Sequence, residues 1–237
     1  MGRKLVTFGD SHSTERFPWK HAMPDLKVMG FSDFKNNYLG PRLLHTVLKT
    51  EPVIVDNRFC GEALKPFELK DGDFVVFCLG EIDIRCHAAV QALRQNKTMH
   101  QIGTELADRY VEWLRKCSDG IKGRDVTIVV QIPTPPWYHP VNWRDPERYS
   151  SQRDVEADSL PQVGSPADRL VAHSAFRSTL NCFAKSIPHV SVMDFTGEIS
   201  SDFGYLLPKP VSDGTHLLIP EPVVNWFSRH LGVNSID

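Results

Sequence analysis

The chain carries no excess charge of either sign. Its 237 residues include 27 Lys and Arg against 29 Asp and Glu, with no basic block. Nucleic acid and anionic membrane surfaces therefore find no electrostatic footprint, and neither is expected as a partner. Long hydrophobic runs are also missing: no stretch approaches the roughly 20 apolar residues of a membrane span. Met1-Gly2-Arg3-Lys4 leads into a short apolar segment that already carries Asp10 and His12, too short for a signal-peptide core. Cysteine is scarce and unpatterned. Cys60, Cys78, Cys86, Cys117 and Cys182 are odd in number and form no C-x-x-C pair, which fits free thiols and a cytoplasmic location. No H-E-x-x-H and no Cys/His grouping has ligand spacing, so no metal and no cofactor is expected. The chain also lacks a P-loop, a G-x-G-x-x-G turn and a G-x-S-x-G elbow, which argues against nucleotide binding and against the α/β-hydrolase fold.

What is present is an alternation of strand-length apolar runs and helical patterns, the mark of a parallel sheet covered on both faces. Strands are expected at Lys4 to Gly9, Pro52 to Asp56, Phe74 to Gly80, Val126 to Ile132 and Val190 to Phe195. Helices are expected at Pro41 to Thr50, Thr98 to Cys117, Pro166 to Ser186 and after Pro220. In the second of these, Ile102, Leu106, Tyr110, Val111 and Leu114 recur at three and four residues and form one buried stripe. At this length, and with no repeat or linker, the pattern predicts a single domain over 1–237. The fold class is α/β, a three-layer α/β/α sandwich on a five-stranded sheet of flavodoxin-like winding. Ligands in such sheets collect beyond the carboxyl ends of the strands.

Ser11 in Phe8-Gly9-Asp10-Ser11-His12-Ser13 would lie at that rim after the first strand, and Ser212-Asp213-Gly214-Thr215-His216 would reach it after the fifth. A serine hydroxyl is a weak nucleophile at neutral pH. It needs an imidazole to take its proton and a carboxylate to orient that imidazole. Ser11, His216 and Asp213 supply these three groups. The competing structural readings are that Ser11 caps a helix and that His216 packs in a surface turn.

These segments resemble the first and last signature blocks of the SGNH, or GDSL, hydrolase family, whose serine lies in a Gly-Asp-Ser turn and whose Asp and His stand three residues apart. Tyr38-Leu39-Gly40-Pro41-Arg42 falls at the second block, and Gly80-Glu81-Ile82-Asp83-Ile84-Arg85-Cys86-His87 at the third. The resemblance implies an SGNH hydrolase fold, a Ser11–His216–Asp213 triad and an oxyanion site using the backbone N–H groups of Ser11 and Gly40. Gly40-Pro41 would also suit a helix start. The chain departs from the family at Ile82, which stands where the family has the Asn whose amide faces the oxyanion.

Glu81, Asp83, Arg85 and His87 alternate just past the third strand. One reading makes them a brace, with Arg85 paired to Glu81 or Asp83. The other makes Arg85 or His87 the replacement for the missing amide, with Glu81 beside them in the substrate site. The aperiodic stretch at about 133–166, with Trp137, Tyr138 and Trp143, is either an active-site wall or a solvated excursion. The expected activity is hydrolysis of a short-chain acyl ester, an O-acetyl group in particular, on a small molecule or a glycan. Transfer of an acyl group to a glycan and a non-catalytic binding domain are the alternatives.

Overall fold

The computed structural model describes residues 2–13, 18–39, 43–49, 53–55, 58–60, 69–138, 143–144, 162–207, 217 and 219–233. Five parallel strands form the central sheet: β1 (Arg3–Gly9), β2 (Phe31–Tyr38), β5 (Phe74–Cys78), β6 (Thr127–Gln131) and β9 (Val190–Met193). They stand in the order β2-β1-β5-β6-β9, so the order reverses between β1 and β5. This is the flavodoxin-like winding expected from the sequence, and the reversal marks where ligands bind in such sheets.

β1 and β5 are buried on both faces because they lie inside the sheet. Val6, Phe8, Val75, Phe77, Ile128 and Val130 point to one layer of helices. Leu5, Phe74, Val76 and Val129 point to the other. The period-2 alternation of a strand divides neighbouring side chains between these two cores.

The first layer contains α4 (Met99–Gly120) and α5 (Pro166–Phe183), and their starts are written in the sequence. Thr98 and Gln101 form a reciprocal capping box, as do Ser165 and Asp168, and Pro166 follows Ser165 at the first helical position. The second layer contains α1 (Lys20–Val28) and α6 (Glu221–Leu231), with Trp19, Leu26, Phe31 and Phe227 in its core.

One expected strand lies elsewhere. Val53–Val55 is β3, which pairs antiparallel with β4 (Arg58–Cys60) in a separate two-stranded sheet. The remaining place in the central sheet is taken by β2, whose sequence Phe-Ser-Asp-Phe-Lys-Asn-Asn-Tyr is largely polar because an edge strand needs little apolar surface. The helix expected at Pro41 to Thr50 is the single turn α2 (Leu44–Val47). In the long stretch after β6, the two-residue strands β7 (Trp143–Arg144) and β8 (Gln162–Val163) pair in parallel. The rest of 139–161 lies outside the described residues.

Candidate active site

Ser11 stands two residues past the end of β1, after Asp10, and its backbone opens one 3-10 turn, Ser11–Ser13. Its side chain lies outside the described residues, as do Gly40, Asp213 and His216. The turn itself is heavily pinned. Ser13 N and Ser13 Oγ both donate to Asp10 O, at 3.1 and 2.8 Å. Thr7 Oγ1 donates to Ser13 O at 2.8 Å, and Asn36 Nδ2 from β2 donates to Thr7 Oγ1 at 2.9 Å and to Ser13 O. Trp19 Nε1 donates to His12 O at 3.1 Å. Gly9 is required here because a Cβ would lie 2.0 Å from the Cys78 carbonyl oxygen of β5. Any other side chain would push β1 off its neighbour at the point where the turn begins.

Asp10 and His12 flank the serine and are both buried. Asp10 Oδ1 accepts from His12 N at 3.0 Å and lies 2.9 Å from His12 Nδ1. Asp10 Oδ2 is buried and has no hydrogen-bond partner among the described residues.

The third-block segment enters from β5. Gly80 has φ 103°, a left-handed conformation that turns the chain from strand into helix at Glu81. The helix continues through the wide π-helical turn Asp83–His87 into α3 (Ala88–Gln95). Because this segment is helical and not extended, its four ionisable residues do not share one mouth. Residues four apart share a face.

Glu81 and Arg85 form one pair, with Arg85 Nε donating to Glu81 Oε1 at 2.5 Å and both side chains largely buried. Burial works against the Arg85 charge, but the adjacent Glu81 more than offsets it and the guanidinium pKa is pushed up. This pair lines a narrow crevice with Thr134, Pro136, Trp137 and Arg169.

Asp83 and His87 form the other face. Asp83 accepts from the backbone N–H groups of Leu44, at 2.7 Å, and His45, at 3.3 Å, and lies 3.2 Å from His45 Nδ1. It thus caps α2. His87 lines a separate cavity of about 330 Å³ with Asp83, His45, Lys49 and Arg109. The expectation that His87 stands with Glu81 and Arg85 is therefore corrected. Helical periodicity sends it the other way. The bracing pair is Arg85 with Glu81, and Asp83 is engaged with α2. Ile82 packs on an apolar cluster of Cys86, Ala89, Val90 and Val163, so its position offers no polar donor.

Three features of the site were not legible from motifs. Arg169, on α5, is almost fully buried and donates to Gly164 O at 2.7 Å and Gln162 Oε1 at 2.9 Å. Burial lowers its pKa to about 10. Asn36 sits in a strand whose polar sequence hid it. Asp10, His12 and Glu81 bring potential ligand atoms within 4.8 Å of one another although Glu81 comes from a different strand end. Beyond the crevice, Trp137, Tyr138, Phe203, Tyr205, Leu206 and Leu207 line a groove of about 580 Å³. The rings of Tyr138 and Tyr205 meet edge to face at 5.0 Å, and Trp137 belongs to both the groove and the crevice.

Solved structures share this architecture at low sequence identity. A catalytic mutant of an acetylxylan esterase from Geobacillus stearothermophilus matches with TM-score 0.56 and 12% identity, over 99% of this chain and 97% of that one. An alpha/beta hydrolase enzyme from the metagenome of Lake Arreo, Spain, matches with TM-score 0.53 and 14% identity, again over 99% of this chain and 97% of that one. At such identities the likeness establishes the fold alone, a three-layer α/β/α sandwich on a five-stranded parallel sheet. No protein-family model matches the chain, and no curated protein matches it.

Proposed function

We propose that the chain is a serine esterase that removes a short acyl group, O-acetyl in particular, from a carbohydrate. Ser11 attacks the ester carbonyl, His216 takes its proton and returns it to the leaving alcohol, and Asp213 orients His216. Water then resolves the acyl-enzyme through the same base. The observation that carries this reading is the position of Ser11, at the carboxyl end of an interior strand beside the reversal of strand order, in a turn pinned from three elements. A merely decorative serine needs no such fixation, whereas a nucleophile must be held close to its attack geometry.

Two further observations support the substrate class. The acetylxylan esterase shares the fold, and the groove that joins the crevice at Trp137 is lined by aromatic rings, whose faces suit the C–H faces of sugar rings. With Ile82 turned into an apolar cluster and Arg85 Nε bonded to Glu81, the oxyanion falls to the backbone N–H groups of Ser11 and Gly40, and a part for Arg85 in the reaction is a matter for its variant.

The test is covalent labelling with a fluorophosphonate, followed by assay on acetylated xylo-oligosaccharides and aryl acetates. The wild-type chain is expected to label once. Ser11→Ala is expected to abolish labelling and lower turnover by several orders of magnitude, as loss of a triad serine does. Undiminished labelling of the Ala variant would remove Ser11 from the reading.

A further inference from the structure

The same turn carries a second chemical possibility that does not depend on Ser11 acting as a nucleophile. Asp10, His12 and Glu81 are all buried, and each offers a potential ligand atom within 4.8 Å of the other two. Donors about 2.1 Å from a shared tetrahedral zinc ion stand about 3.4 Å apart. The group therefore needs to close by up to about 1.4 Å, within the reach of side-chain rotation.

The surroundings point the same way. Glu81 already has a cation of its own in Arg85. The Asp10 carboxylate is more poorly served: one oxygen meets His12, and the other, fully buried, meets no hydrogen-bond donor among the described residues. A buried carboxylate oxygen without a donor is unfavourable, and a cation is the partner that would satisfy it. Glu81 also lines a small crevice with Thr134, Pro136 and Trp137. Arg85, bonded to the Glu81 carboxylate, would stand in the outer layer that orients a ligating group.

We propose that Asp10, His12 and Glu81 form a site for one divalent cation of the zinc class, held beside the Ser11 turn by one imidazole nitrogen and two carboxylates. This donor set, nitrogen with oxygen and no thiolate, favours zinc or manganese over softer ions. Sequence spacing could not reveal it, because the third ligand arrives from the end of β5 and not from the same segment.

The experiment is titration of the metal-free chain with zinc chloride by calorimetry, with the bound metal counted by mass spectrometry after dialysis. One zinc per chain is expected. Glu81→Gln and Asp10→Asn keep the side-chain volumes, and each is expected to weaken binding at least tenfold. Zinc-edge X-ray absorption on the wild-type chain gives a reading that does not depend on the variants folding, and is expected to show one imidazole and otherwise oxygen donors. Failure to retain stoichiometric zinc, equal binding by both folded variants, or a zinc shell with no imidazole or with two or more would each overturn the proposal. Fluorophosphonate labelling is read separately, so loss of the metal site and loss of the esterase reading are distinguishable.

Discussion

The two faces of the helix that follows β5 carry the same kinds of residue and use them differently. On one face Glu81 and Arg85 bond to each other, largely out of solvent, beside the Ser11 turn. On the other, Asp83 bonds to the backbone of α2 and His87 borders a cavity between helices. A helix repeats every 3.6 residues, so positions two apart point in nearly opposite directions. The alternation of charges along Gly80 to His87 therefore separates a pair facing the site from a pair serving the scaffold. Changes on the first face should alter chemistry and stability together, and changes on the second should alter stability alone.

The largest effect should come from breaking the buried pair. Arg85→Ala leaves Glu81 charged in a buried position, and removing one partner of such a pair costs about 3–5 kcal/mol. Urea unfolding followed by circular dichroism measures this loss. If Arg85 also assists the oxyanion, the folded fraction should show kcat lowered about 100-fold with KM little changed, as when one oxyanion donor is removed. A stability loss with kcat intact would make the pair a brace and nothing more.

Next in size is a buried group without a carboxylate in contact. His173, on α5, is buried with Nε2 2.9 Å from Pro133 O, at the start of the segment that forms the crevice wall. Burial, the largest influence, lowers its pKa from 6.5 to about 4. The unfolded chain binds a proton near pH 6.5 and the folded chain resists protonation until about pH 4, so the unfolded state holds more protons in that window. The contribution is complete above pH 6.5 and is lost as the pH falls toward 4. It amounts to about 3 kcal/mol across the window. Urea midpoints of the wild type should drop over this range, and those of His173→Gln should drop less. Parallel curves for the two chains would remove His173 as the source.

The sheet was legible where burial writes itself into the sequence. The interior strand β5 is an unbroken apolar run, β1 and β6 are apolar at most of their central positions, and α4 and α5 announce their starts through Thr98–Gln101 and Ser165–Asp168. The edge strand β2 was hidden by its polar residues, and Val53–Val55, apolar enough for the central sheet, pairs with its neighbour Arg58–Cys60 in a local hairpin. In the site, the strand-to-serine placement followed from the Gly9-Asp10-Ser11 turn. The sorting of Glu81, Asp83, Arg85 and His87 did not, because their spacing suits a strand as readily as a helix until Gly80 turns the backbone. Nor did the meeting of Asp10, His12 and Glu81, which depends on the pairing of β1 with β5.

The smallest effect, and the sharpest division between the faces, belongs to Asp83. Its two oxygens accept from the first N–H groups of α2, a helix with no cap of its own at Leu43. A carboxylate at a helix start both satisfies open donors and meets the positive end of the helix dipole. Asp83→Ala removes both effects and is expected to cost about 1–2 kcal/mol, the range for losing a helix cap. Because the residue faces α2 and not the Ser11 turn, the variant should label with fluorophosphonate at the wild-type rate while its urea midpoint falls. Asp83→Asn, which keeps an acceptor oxygen, should recover part of the loss. Slower labelling by a folded Asp83→Ala chain would mean that the two faces are coupled through the helix and do not act separately.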